Sequence, residues 1–175
     1  MPKIIGRTTY SFDEQSFDFT IIELRETVTI GSRDALENTH RYWVPAGEDL
    51  ADPTTYIEPI TNPDYNLDAD YQLYRQQYNF LSPTAIKAAR QHLDLSVPTT
   101  ALLLDMPEEV FLAIENGDLL QSLEQEINLR FLQHPQQLLA SIRPYQDLLT
   151  QRAARMHIDL DDVCQQLSQK IADND

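Results

Sequence analysis

The chain has 175 residues, of which 13 are basic and 28 acidic, giving a formal net charge of −15; that length allows one domain, or a compact domain with a smaller companion, around a real core. The charge argues against sequence-independent binding to phosphates, whose affinity comes from lysine and arginine displacing counterions, and it suits a basic partner. No run of 18 apolar residues and no signal-peptide core is present, so neither a membrane partner nor export is expected, and the single cysteine, Cys164, rules out an internal disulfide and fits a reducing, cytoplasmic setting.

The first third is rich in β-formers. "SFDFTIIELRETVTIG" and "HRYWVPAG" predict two or three short strands ending near Gly47. Glu48 to Pro63 carries three prolines and four acidic residues, a linker or irregular wrapping segment. From Asp64 to Tyr78, Leu67, Tyr71, Tyr74 and Tyr78 recur at helical spacing and predict an apolar, aromatic stripe. "DYNLDAD" begins like a calcium loop but has Ala69 where glycine is needed and Arg75 where a bidentate glutamate is needed, so Asp64 or Asn66 reads as a helix cap instead.

Helices follow. Ser82 is an N-cap, Pro83 the first helical residue, and Leu81 with Ile86 a hydrophobic staple, predicting a helix to about His92. Ser96 caps a short helix through Leu104, Asp105 turns, and a further helix runs from about Pro107 to a stop at Asn116-Gly117. "LLQSLEQEINLRFLQHP" supplies another, ended by Pro135. The tail has two more patterns, Gln136 to Met156 with a break near Pro144 and Leu160 to Ala172, the latter capped by Asp159 with Ile158 and Val163 as its staple.

The fold class is therefore α+β: a small β-rich N-terminal part and linker over 1–63, a helix-turn-helix domain over 64–140, and a C-terminal helical extension over 141–175.

Leu95 to Gly117 has the length and punctuation of a DNA-reading helix-turn-helix without a single lysine or arginine. Its spacing resembles the Xre/Cro type without a gap, with Ala101 as the small residue between helices and Leu103-Leu104 in the core. "LYRQQYNFLSPTAIKAARQHLDLS", with Tyr74, Arg75, Leu81, Ser82, Pro83, Ile86, Lys87 and Arg90, is similar to the joining segment of the zinc-finger-plus-helix-turn-helix (YgiT-type) antitoxins of bacterial type II toxin-antitoxin modules, and "FLQHPQQLLASI" resembles that family's ending. The resemblance covers roughly 64–142 and implies a helix-turn-helix protein that binds a toxin, often a basic RNase, and in many relatives DNA.

Two features of that family are missing. Its zinc ribbon needs four thiolates in a closed shell, whereas residues 1 to 63 hold no cysteine and only His40; the strands must cohere by packing, with Trp43, Tyr42 and Phe19 as the replacement core. The positions that would present donors to phosphate and the major groove hold Val97, Glu108, Glu109, Val110, Leu112 and Ala113. Carboxylates repel phosphate, so Glu108, Glu109, Val110, Leu112 and Ala113 are read as a partner-binding face, with any exposed side chain among Val110, Phe111 and Leu112 forming the contact.

The other constellations are weak. His40, His92, His134 and His157 are scattered without the i, i+4 spacing of a shared helical face, and read as surface or half-buried side chains with no metal site. Cys164 lies with Leu160, Val163 and Leu167 on an apolar helix side and reads as a small hydrophobe. No nucleophile with its base and no carboxylate pair stands out, so neither a catalytic set nor a cofactor is expected. The leading expectation is an antitoxin-like or inhibitory module that binds a basic protein, a toxin or a nucleic-acid-handling protein, with a homodimer compatible with it. An alternative is an Xre-type DNA-binding regulator using Arg143, Arg152 and Arg155; another is an acidic nucleic-acid mimic that inhibits a DNA-handling nuclease.

Overall fold

The structure is a computed structural model that describes residues 1–31 and 34–172. The architecture is α+β, as the residues imply: among the described residues three strands, β1 (Lys3–Phe12), β2 (Gln15–Ile30) and β3 (Asp34–Pro45), precede eight α-helices. These are α1 (Tyr65–Gln77), α2 (Pro83–His92), α3 (Val97–Leu103), α4 (Glu108–Asn116), α5 (Leu123–Leu129), α6 (Pro135–Ile142), α7 (Gln146–Arg155) and α8 (Leu160–Ala172). The chain divides into two compact units, Met1–Tyr78 and Asn79–Asp175. No helix among the described residues is long and apolar enough to cross a membrane.

In the first unit the strands are far longer than the short ones expected, and they form an antiparallel meander in the order β1-β2-β3. Asp13 and Glu14, both at positive φ, make the two-residue turn between β1 and β2, the backbone twist that suits a tight hairpin. One residue, Ile5, is left over where the register shifts between Ile4 and Gly6, which marks a bulge. On one sheet face Trp43 is buried against Phe19, ring centroids 5.4 Å apart, with Tyr10 edge-on at 6.4 Å. On the other, Ile22, Ile30 and Val44 are buried. Of the replacement core expected from sequence, Trp43 and Phe19 serve, whereas Tyr42 is only half-buried and donates its hydroxyl to Glu26 Oε2 at 2.7 Å.

The proline-rich stretch wraps the sheet as an irregular segment: Asp52 caps a single 3-10 turn at Pro53–Thr55, and Ile57 pairs with Trp43 through N–H···O contacts of 2.8 and 3.0 Å. The next helix, α1, corrects the sequence reading. Its buried residues are Asn66 and Arg75, while Leu67 and Tyr78 of the expected apolar stripe are exposed. The sheet supplies the reason, since it presents polar groups to α1. Asn66 is no cap; its side chain accepts from Arg41 N and donates to Arg41 O, each at 2.8 Å. Asp70 accepts from Asn38 Nδ2 at 2.7 Å and lies 2.8 Å from His40 Nε2. His40 is thus buried, where a surface or half-buried histidine was expected. These bonds tie α1 to β3, so the first unit extends to Tyr78, past the boundary expected at 63.

The second unit begins with α2 over the residues expected, its Ser82 Oγ accepting from Ala85 N at 3.2 Å. Ser96 caps α3 in the same way, through Thr99 N at 3.2 Å. Gly117, at φ 98°, closes α4 in the left-handed region, where a residue without Cβ sits at least cost. Only α5 starts later than the sequence suggests, at a capping box in which Ser122 Oγ accepts from Gln125 N and Gln125 Oε1 from Ser122 N. Asp159 Oδ1 caps α8 by accepting from Asp161 N at 3.0 Å and Asp162 N at 3.2 Å. One core includes Ile86, Leu93, Leu104, Phe111, Ile114, Leu129, Leu138, Ile142, Leu149 and Leu167. It draws on α2 through α8, so the C-terminal helices share the core of the helix-turn-helix and do not stand apart as an extension.

Candidate partner-binding surface

The candidate surface is the outer side of α4, and what fixes it is the ion pair between Arg90 and the buried Glu115. Arg90 of α2 reaches Glu115 of α4 with two bonds, Nε to Oε2 at 2.6 Å and Nη2 to Oε1 at 2.8 Å, while its Nη1 donates to Leu95 O at 2.8 Å. One guanidinium therefore holds together α2, the loop into α3, and the end of α4. Glu115 raises the Arg90 pKa above its ordinary value through these hydrogen bonds, against an opposing effect of burial. Glu126 of α5, also buried, accepts from Leu81 N at 3.0 and 3.2 Å, from Gln121 Nε2 at 3.1 Å and from Arg130 Nε at 2.7 Å. Arg130 also donates to the carbonyl of Asn79. Glu115 and Glu126 are thus structural carboxylates inside the unit and add nothing to its acidic surface.

With α4 held this way, the expected contact residues separate. Glu108 and Glu109 are exposed, Leu112 is 41% exposed, and Val110 and Ala113 are half-buried, Val110 against the core. Phe111 is fully buried and is a core residue rather than a contact. Val97, at the start of α3, also packs on the core. The outward face of α4 therefore offers Glu108, Glu109 and Leu112, with Asn116 at its end. Pro107 provides no side-chain cap to α4, so the two first-turn glutamates answer the positive end of the helix dipole themselves. A phosphate would have to compete with them for that end.

The arginines of the alternative reading are split. Arg152 and Arg155 line a hollow of about 460 Å³ beside the α3–α4 turn, together with Asp105, Met106, Glu108 and Met156. Arg152 is already paired there, Nη1 to Asp105 Oδ1 at 2.5 Å. Arg143 is in the turn before α7, near enough to Cys164 of α8 to oppose part of the rise in its pKa. That rise comes first from burial and then from Asp161, so Cys164 is held as a neutral thiol. Among the described residues no group of three or more His, Cys, Asp or Glu side chains could hold a metal.

Sequence reasoning finds the helices and the α4 positions but misses the Arg90–Glu115 and Glu126–Arg130 pairs; the first joins residues 25 apart and carries no local signature. The spacing of four between Glu126 and Arg130 was the one available signal. Comparison with known proteins gives no matching family model, no matching curated relative and no matching solved structure.

Proposed function

We propose that this chain is a protein-binding module of the antitoxin-like or inhibitory kind, a binder rather than a catalyst, in which a degenerate helix-turn-helix scaffold and an acidic surface hold a basic protein. The observation that carries this reading is the state of α4: its first turn is closed by exposed Glu108 and Glu109, while Arg90 and Arg130 are committed to buried carboxylates and Arg152 to Asp105. A duplex approaching α4 meets the carboxylates of Glu108 and Glu109, and of the two arginines beside them Arg152 is already paired with Asp105, which leaves little positive charge to release counterions. A basic protein meets two carboxylates and an apolar side chain, Leu112, an acceptor-and-anchor pattern suited to arginine-rich or lysine-rich surfaces.

The test is binding of the purified chain over a salt series, with random duplex and its own upstream DNA in one arm and basic protein partners captured from its source cells in the other. The expected result is capture of a basic protein that weakens about tenfold or more when Glu108→Lys and Glu109→Lys are combined, with no duplex shift at low salt. Sequence-specific DNA binding with a steep salt slope would overturn it. That outcome would favour the regulator, whose one supporting observation is that Arg152 and Arg155 lie beside the start of α4.

A further inference from the structure

The two edges of the sheet are treated differently. On β3, outward backbone groups toward the Pro45 end are taken up: those of Arg41 by the Asn66 side chain, those of Trp43 by the backbone of Ile57, and the Thr39 N–H by Asn38 Oδ1. Antiparallel pairing alternates residues that face the neighbouring strand with residues that face away. Following that alternation through the register, Thr20 and Ile22 of β2 turn to β3, as does Asp18, whose carbonyl accepts from Ala46 N. Phe17, Phe19 and Ile21 turn to β1, and their partners are Tyr10, Thr8 and Gly6. The backbone groups of Arg7, Thr9 and Ser11 therefore point outward. Among the described residues no hydrogen bond reaches them, and all three residues are exposed.

An open edge is a template for another strand. Natural sheets guard such edges with lysine, bulges or proline; here Lys3 and the bulge at Ile5 guard the beginning of β1, and Arg7 to Phe12 is regular and proline-free. We propose that this stretch pairs antiparallel with the same stretch of a second copy of the chain, centred on Thr9, to make a continuous six-stranded sheet.

The sequence is self-complementary in this register. Thr9 faces its own twin, a favourable threonine pair. Arg7 faces Ser11, and the two Arg7 side chains stand about 14 Å apart along the strands, four residues at about 3.4 Å each, beyond the range of exposed charges at physiological salt. On the other face Thr8 meets Tyr10, and Phe12, 64% exposed in the single chain, covers Gly6 of the second copy, the aromatic-over-glycine pairing that steadies an edge. The acidic tip, Asp13 and Glu14, comes alongside the Lys3 end of the other copy. Against this stands a net charge of −15 on each chain, so added salt strengthens association instead of weakening it.

The experiment is the molar mass of the full chain by light scattering or sedimentation, over concentration and salt, for wild type and Thr9→Pro. Proline at 9 removes an N–H that points outward and leaves the internal ladder intact. The expected result is a concentration-dependent dimer, favoured by salt, that Thr9→Pro weakens at least about tenfold, with far-UV dichroism and Trp43 fluorescence unchanged. The register is read by oxidation of two chains, both with Cys164→Ala. Thr9→Cys gives a disulfide dimer, because twins in a bonded pair sit about 5.5 Å apart, within reach of the bond; Ser11→Cys does not, its twins being about 14 Å apart. A chain that stays monomeric at every salt and concentration, a dimer unchanged by Thr9→Pro, or equal crosslinking at 9 and 11 would each overturn the proposal.

Discussion

At the scale of single residues, burial decides what a charge is worth. The Arg25–Glu37 pair on the sheet surface has side chains 76% and 50% exposed, and a contact of that kind contributes less than about 1 kcal/mol. Arg90 and Glu115, at 13% and 3%, are another case. Glu115→Ala strands a desolvated guanidinium, and the expected loss is about 3–5 kcal/mol of stability in the helical unit. Urea unfolding followed at 222 nm measures it; a loss below 1 kcal/mol would mean that Arg90 swings out to water and that α4 is held by Phe111 and Ile114 alone. The same scale marks what could be read in advance. Ser82, Ser96, Asp159 and Gly117 announce helix ends through their own chemistry and were legible. Asp105, at positive φ, is the turn its place between two helices implied, whereas Asp94 and His157 stand just beyond helix ends at positive φ without being glycine and went unmarked in the sequence.

At the scale of elements, the helices of the second unit were legible almost to the residue because their periodicity, caps and core agree, whereas α1 was read with the wrong face inward. A stripe of Leu67, Tyr71, Tyr74 and Tyr78 predicts burial only if the neighbour is apolar. The neighbour here is the polar rim of β3, so the helix buries Asn66 and Arg75 instead. Of the candidate surface, the positions of Glu108, Glu109 and Leu112 were legible from helix-turn-helix spacing, and the Arg90–Glu115 pair that orients α4 was not, since it depends on tertiary contact. The function of Asn66 follows from this geometry: its amide stands in for a fourth strand, bonding both backbone groups of Arg41. Asn66→Ala leaves an N–H and a carbonyl in that half-buried place without partners, at a cost of about 2 kcal/mol or more. Hydrogen exchange should show the Arg41 amide losing its protection while the amide of Tyr42, which faces β2, keeps it. Equal loss at both positions would mean that Asn66 supports the whole sheet and not its edge.

At the scale of the whole molecule, the two units carry separate titrating groups and separate optical probes, so alkaline pH should take them apart independently. In the sheet unit the Tyr42 pKa is pushed far above its ordinary value, first by burial and then by its hydrogen bond and charge interaction with Glu26, and that of Tyr56 is raised by burial. In the helical unit burial raises the Cys164 thiol. A raised pKa means that the folded unit holds its proton longer than the unfolded chain does. Its contribution is complete below the unfolded value and is lost as pH rises through the folded one. The helical unit should therefore begin to lose stability above about pH 8.5 and the sheet unit only above about pH 10, the ordinary values for cysteine and tyrosine. Trp43, the one tryptophan, reports on the sheet, and the 222 nm signal reports mainly on the helices. Urea midpoints recorded by both probes from pH 7 to 11 should diverge, with Cys164→Ala flattening only the helical curve and Tyr42→Phe only the sheet curve. The Tyr42→Phe sheet should also be weaker at pH 7 by about 1 kcal/mol for the lost bond to Glu26. If both probes fall together at one pH in every variant, the units unfold as a single cooperative body, and the separation drawn between them is a feature of packing with no thermodynamic counterpart.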